Sequence, residues 1–281
     1  MQLSVVVPAY NESTSIAASL PVIVSAAEEL TPDFEIILVD DGSSDETARL
    51  ARMCAELYPR RIKVVELPVN CGKGAAIVHG AMHASGERIA FLDADLDLHP
   101  SLLHAMSAQM DASGADVVIG SKRHPLSDVE MPRIRRVLST GYFLLVKALF
   151  GMRLRDTQTG IKIFKRDALK PVLPRLLVKR FAFDLELLVG VCRAGARIED
   201  APVTIRAQRL AQRIRFQDVK TIFIDTLAVF YRARIRRWYD GDPPFPRPTY
   251  GFTPVVSYGR AQPRAEKLPA AADQFVAEDV S

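Results

Sequence analysis

Five short apolar runs, Leu3–Val7, Glu35–Val39, Ile62–Val65, Ile89–Leu92 and Val117–Ile119, alternate with helical patterns near Ser15–Leu30, Asp45–Tyr58, Lys73–Ser85 and Ser101–Met110. The runs have strand length and the stretches between them have helix length. Such alternation implies βαβ units, hence a mostly parallel sheet with helices on both faces. Right-handed crossovers then give an α/β three-layer sandwich. The chain has 281 residues, 48% hydrophobic and 25% charged, enough for one large domain or two small ones.

In a sheet of this kind the loops after the strands converge on the edge where ligands bind. The loops here carry unusual residues. The first run ends in Pro8-Ala9-Tyr10-Asn11-Glu12, with Asn11 or Ser13 able to cap the next helix. The second ends in Asp40-Asp41-Gly42, two adjacent acids at the end of a buried strand, which is costly unless something pairs with them. The third is followed by Asn70-Cys71-Gly72-Lys73-Gly74. This is not a P-loop, but two glycines around a lysine suit close approach to an anion; a plain turn is the alternative. The fourth ends in Asp93-Ala94-Asp95-Leu96-Asp97. Carboxylates at alternate positions repel one another unless a cation lies between them, and Mg²⁺ or Mn²⁺ suits oxygen ligands. Alone, such a stretch reads equally as a solvated acidic turn. Together the four loops describe a nucleotide-diphosphate pocket: acceptors and an aromatic ring for base and ribose, a cation at Lys73, and metal ligands at Asp93, Asp95 and Asp97.

The stretches VVVPAYNE, VDDGSSDET, GKGAA, FLDADLD, RDTQTGIKIFKR and FAFDLELL resemble the inverting family-two glycosyltransferases of GT-A fold, a Rossmann-like sheet sandwiched by helices. Within that family they are most similar to the polyprenyl-phosphate sugar synthases, particularly dolichyl-phosphate β-glucosyltransferases. The likeness runs from about Leu3 to Trp238. It implies nucleotide contacts at Pro8, Tyr10, Glu12, Asp40 or Asp41, Asp93 and Ala94. It implies a DxD metal motif at Asp93 and Asp95, with Asp97 as a further ligand. It places a phosphate-binding arginine where Lys122 stands, next to Arg123, and either residue can carry the charge. Arg135 matches an arginine that meets the acceptor phosphate. Arg209 and Arg213 fall on the basic positions of an acceptor loop, although the glycine and serine of that loop are missing. Asp156 and Asp184 match site-facing positions and are the candidate general bases. A lipid-phosphate acceptor is already anionic and needs no base, whereas a hydroxyl acceptor does.

The remaining features bear on location. Net charge is +4 and the pI about 9.0. Arginines between 202 and 216 lack interleaved stacking aromatics, which argues against nucleic acid. Cys54, Cys71 and Cys192 form no disulfide framework or zinc motif, which suits a reducing cytosol. No signal-peptide pattern is found at the N-terminus, and no run of about 18 uncharged apolar residues exists. Residues 132–151 are basic and then apolar, reading as core or as an interfacial helix. A helical pattern over 218–239 ends in Arg232, Arg234, Arg236, Arg237, Trp238 and Tyr239, resembling a membrane-interface anchor. The expected layout is a transferase domain over 1–239, with a nucleotide-sugar half to 121 and an acceptor half from 122, then a proline-rich tail over 240–281 that is flexible or draped over the body. The expected reaction moves a hexose, glucose from UDP-glucose first, to a polyprenyl phosphate at the cytoplasmic face of a membrane. GDP-mannose as donor, a hydroxyl acceptor, or a non-catalytic binding module are the alternatives.

Overall fold

The computed structural model describes residues 1–152, 154–179, 182–205, 216–240 and 254–258, with side chains at all of these but 133, 134 and 216–219. The alternation becomes strands β1 (Leu3–Ala9), β2 (Phe34–Asp40), β3 (Ile62–Glu66), β4 (Arg88–Phe91) and β5 (Val117–Ser121). Between them lie helices α1 (Ile16–Leu30), α2 (Thr47–Leu57), α3 (Lys73–His83) and α4 (Leu102–Ser113). The chain continues through β6 (Asp128–Val129), α5 (Arg133–Phe150), β7 (Lys162–Lys165), α6 (Arg166–Leu169), α7 (Phe183–Arg193), β8 (Ile198–Pro202), β9 (Thr204–Ile205), α8 (Phe216–Phe230) and a π-helical turn, Tyr231–Ile235. A last strand, β10 (Val255–Tyr258), follows.

The main sheet has eight strands in the order β10-β3-β2-β1-β4-β7-β5-β8. Strands β1 to β4 are mutually parallel, and β8 is parallel to β5. β7 runs antiparallel between β4 and β5. Two consequences follow for the site. The C-terminal ends of β1, β2, β4 and β5 share one edge, and the chain entering β7 at Lys162 arrives at that same edge. Residues 155–161 therefore stand beside the loop after β4.

Successive strand residues face opposite sides. Val5, Val7, Ile36 and Leu38 join one buried cluster with α1, α2 and α4. Val6, Ile37 and Val39 join another with α3 and α7. Full burial of each such side chain is worth about 1.5–3 kcal/mol. A third cluster sits off the sheet: Val146 and Phe150 of α5 pack on Leu185 and Val189 of α7, Val229 of α8 and Tyr239. It docks α5 and α8 beside the edge that carries the loops.

One sequence expectation changes here. Trp238 and Tyr239 do not project as an interface anchor. Trp238 Nε1 donates to Arg175 O (2.9 Å), and the Tyr239 hydroxyl donates to Glu186 Oε1 (2.5 Å). Arg232 pairs with the same carboxylate at 2.8 Å. A fully buried glutamate needs several donors, and this segment supplies them. Arg234, Arg236 and Arg237 remain exposed. Beyond residue 240, the segment Val255–Tyr258 pairs antiparallel with β3 and covers that edge of the strand.

Candidate active site

The loops after β1 and β2 are cross-linked by their own polar residues. Asn11, at φ 55, donates its N–H to Ser43 Oγ, and its Oδ1 accepts the Ser44 N–H, both at 2.9 Å. Thr47 Oγ1 accepts the Glu12 N–H at 2.8 Å. Asp45 accepts N–H groups from Ser13 (3.2 Å) and Thr47 (3.0 Å). Against desolvation, these donors hold the Asp45 carboxyl down at about 2. The sequence signal DGSSDET is thus a brace between two loops. Tyr10 is exposed beside it, Pro8 is half-buried in β1, and Glu12 Oε2 accepts the Ser15 hydroxyl at 2.7 Å.

The two adjacent acids part company. Asp41 accepts the N–H groups of Cys71 (2.7 Å) and Gly72 (2.8 Å). The anion that the Asn70–Gly74 loop binds through these amides is therefore Asp41 itself. The Gly74 N–H goes to Lys179 O at 2.8 Å. Asp40 is also buried; its Oδ2 accepts the Ser43 N–H at 3.2 Å, and Oδ1 has no partner among the described residues. Burial raises the Asp40 pKa, with Glu66 and Asp45 adding to it. A buried carboxylate oxygen without a protein donor is rare and calls for a partner from outside the chain.

The acidic loop after β4 turns tightly, with Leu96 at φ 54 and the Asp97 N–H donated to Asp95 Oδ1 (3.1 Å). Asp93 Oδ1 pairs with Lys73 Nζ at 2.5 Å. Its other oxygen lies where a side chain on Gly160 would stand: a Cβ there would be 2.1 Å from Asp93 Oδ2. Desolvation pulls the Lys73 ammonium down, but Asp93, Asp184 and Asp95 push it above its usual value. Burial, then Asp93, Asp97 and Glu12, push the Asp95 carboxyl up to about 6. Asp97 is exposed, and Ala94 is buried in the core, so Ala94 offers only its backbone. Among the described residues no group of three or more acidic, histidine or cysteine side chains converges on a metal position. Asp93, Asp95 and Asp97 therefore form no three-carboxylate cage by themselves. A magnesium-like cation typically takes one or two carboxylates and completes its shell with substrate phosphates. The crowded charge at Asp95 fits that donor set.

Two residues that sequence reading passed over complete this side. Gly160 gives Asp93 its room. Lys162, in the middle of β7, is fully buried; its Nζ reaches Asp184 Oδ1 at 2.6 Å and also donates to Thr159 O. A lysine inside the apolar run Ile161–Phe164 was the available signal. Asp156 accepts the N–H groups of Lys122 (3.1 Å) and Gln158 (2.9 Å) and the Thr159 hydroxyl (2.7 Å). Both candidate bases therefore have structural partners, Asp184 a buried lysine and Asp156 its own loop.

A cavity of about 650 Å³ is lined by Asp93 and Asp97, by α5 and α8, and by Met152 and residues 154–160. Its charged lining includes Lys122, Arg123, Arg135 and Asp156; most of the rest is apolar, with Leu138, Tyr142, Phe143, Val146, Ile222 and Phe223. Arg123 lies over the Phe143 ring at 4.7 Å and donates to Ser139 and Thr140 of α5. Arg209 and Arg213 lie outside the described residues.

Residues 4–173 match the sequence family described as Glycosyl transferase family 2. The chain is 36% identical over 211 residues to a dolichyl-phosphate beta-glucosyltransferase of Trichomonas vaginalis, covering 72% of this chain and 64% of that protein. It is 32% identical over 221 residues to the dolichyl-phosphate beta-glucosyltransferase of Saccharomyces cerevisiae, covering 72% and 66%. The corresponding human protein is 34% identical over 200 residues, covering 66% and 62%. The matches thus span less than two thirds of these relatives' lengths. Among solved structures, Mycobacterium tuberculosis glucosyl-3-phosphoglycerate synthase with UDP superposes with a TM-score of 0.61 at 19% identity, covering 92% of this chain and 87% of that one. The same enzyme with Mn²⁺, UDP and glucosyl-3-phosphoglycerate gives 0.61 at 20% identity, covering 82% and 78%. At that identity the likeness speaks for the fold, which is GT-A. The sequence match covers more than half of the chain and every loop of the donor edge from Pro8 to Gly160, and the chain belongs to glycosyl transferase family 2.

Proposed function

We propose that the protein transfers glucose from UDP-glucose to a polyprenyl phosphate, with inversion at the anomeric carbon, while held peripherally at the cytoplasmic face of a membrane. The observation that carries this reading is the cavity of about 650 Å³ beside Asp93, whose lining combines the cations Lys122, Arg123, Arg135, Lys147 and Arg155 with a larger apolar surface. A phosphate on an apolar chain matches both kinds of lining, and a polar glycan matches only one.

The residues divide the work as follows. Asp40 Oδ1 accepts the imide N–H of the base. Tyr10, Pro8 and Glu12 flank the base and ribose. Lys73 binds the diphosphate as a point charge. A divalent cation, Mg²⁺ or Mn²⁺, held by Asp93 and Asp95 with the diphosphate oxygens would supply Lewis-acid neutralisation of the leaving group. Lys122, Arg123 and Arg135 orient the acceptor phosphate, with Arg209 and Arg213 as further candidates. A phosphate oxygen attacks the anomeric carbon as the bond to the diphosphate breaks, and UDP leaves. The acceptor oxygen arrives ionised, so no proton has to be removed. The engagement of Asp156 and Asp184 supports this route over a hydroxyl acceptor, which would need one of them free. Most of the acceleration then comes from positioning and charge stabilisation.

Exposed apolar residues on α5 and α8, Leu138, Leu144, Phe223, Ile224 and Leu227, support contact with lipid near the groove. No described helix is long and apolar enough to cross a membrane. The test is an incubation of the protein with Mg²⁺, labelled UDP-glucose and polyprenyl phosphate in anionic vesicles. A labelled glycolipid is expected, with Lys122→Ala raising the KM for the lipid phosphate about tenfold more than that for UDP-glucose. Transfer to a glycan hydroxyl but not to the lipid, or product only from GDP-mannose, would overturn the assignment.

A further inference from the structure

The position of Lys73 carries a consequence for how the site takes up metal; it rests on the metal–diphosphate reading above. Asp93 Oδ2 packs against Gly160, in the space that a Cβ would fill. Lys73 Nζ sits on the other oxygen, Oδ1, at 2.5 Å. A divalent cation bonded to that same oxygen would lie within a few ångströms of the ammonium, and the two like charges repel strongly at such range in a partly desolvated site.

Where the ammonium can go is limited. Asp184 is the other carboxylate that acts strongly on Lys73. It is already bound at 2.6 Å by Lys162, which is buried in β7 and has no freedom to leave. Asp95 belongs to the same acidic loop and would share any bound metal. The amides of Cys71 and Gly72 do not compete for an incoming anion, because Asp41 holds them. Lys73 is exposed at the first turn of α3 on a long flexible stem. Among the described residues these are the carboxylates that act on Lys73, and the further partner is an anion brought in from outside.

We infer that Lys73 is an internal counter-cation that competes with the divalent metal for Asp93 Oδ1, so that tight metal binding depends on a nucleoside diphosphate to take the ammonium over. The metal and the nucleotide then bind with positive coupling, and by linkage each raises the affinity of the other equally. The site avoids holding a bare metal, and it keeps its acidic loop neutralised between turnovers.

The experiment is a Mn²⁺ titration of the full chain followed by the electron paramagnetic resonance of free Mn²⁺, with and without UDP and with no sugar to transfer. For the unaltered protein UDP should tighten Mn²⁺ by on the order of tenfold or more. Lys73→Met should bind Mn²⁺ without UDP on the order of tenfold tighter than the unaltered protein, and should gain little from adding UDP. Lys73→Gln, of similar length and also neutral, should behave alike, and Lys73→Arg should retain the weak nucleotide-free binding. Melting curves identify any variant that does not fold. If the neutral variants bind Mn²⁺ without UDP no more tightly than the unaltered protein, the competition is refuted while the site assignment stands. If the unaltered protein takes up no Mn²⁺ even with UDP, the metal–diphosphate reading falls and the inference with it.

Discussion

Replacing Gly160 by alanine isolates one contact. The glycine has an ordinary backbone conformation, so alanine introduces no φ strain there. What it introduces is a methyl group 2.1 Å from Asp93 Oδ2 and 2.7 Å from Asp93 Cγ. Ordinary contact begins at 3.4 Å, so the carboxylate must retreat by about 1.3 Å or the 156–160 turn must lift off β4. The turn is pinned by Asp156 to Lys122 and Thr159, and by Lys162 to Thr159 O and Asp184. The carboxylate is held by one exposed lysine. The carboxylate therefore moves. Overpacking of this kind costs about 1–3 kcal/mol of stability, whereas a 1 Å misplacement of a catalytic group can cost about a hundredfold in rate. The assay pairs steady-state kcat/KM for the sugar nucleotide with a chemical denaturation curve. The expected result is a roughly hundredfold loss of turnover in a protein that still folds cooperatively. In an Asp93→Ala background the same substitution should cost little more, because the two changes act on one contact. Gly160→Ala turning over within about threefold of the unaltered protein would refute the steric argument, since the carboxylate would then tolerate the shift.

Two further outcomes test the scaffold. Glu186→Gln leaves Arg232 without its anion in a buried site where the carboxylate also accepts from Tyr239 and from the Leu177 and Val178 N–H groups. A loss of about 3–5 kcal/mol in urea denaturation at neutral pH is expected, and a loss below about 1 kcal/mol would contradict that role. Asp45 has a carboxyl depressed to about 2 by its hydrogen bonds to Thr47 and Ser13, against desolvation. Its stabilisation is present above its ordinary value near 3.8 and is lost as pH falls through the folded value. The difference in melting temperature between the unaltered protein and Asp45→Ala should therefore shrink from about pH 4 to about pH 2. A difference that stays constant across that range would show that the brace does not depend on the ionised carboxylate.

The sequence alone determined the alternation of strands and helices, the shared loop edge, and the residue types placed there. These follow from local physics. The apolar runs between helix-length stretches are too short for helices and bury as strands, and acids and glycines at their ends mark turns wherever the strands later pair. The four loops carrying Pro8–Glu12, Asp40-Asp41, Lys73 and Asp93–Asp97 were legible for that reason. Partnership was not legible, because a hydrogen bond between residues far apart in the chain leaves no local pattern. Only the tertiary structure separated Asp40, with its unpaired oxygen, from Asp41, which clamps the Cys71 and Gly72 amides. Only it slid β7 antiparallel between β4 and β5, burying Lys162 against Asp184 and bringing Gly160 onto Asp93. It also turned Trp238 and Tyr239 inward, because the buried charge of Glu186 needed their neighbourhood for its donors. Charge, size and periodicity are properties of residues, whereas the direction a carboxylate faces is a property of what the fold packs against it.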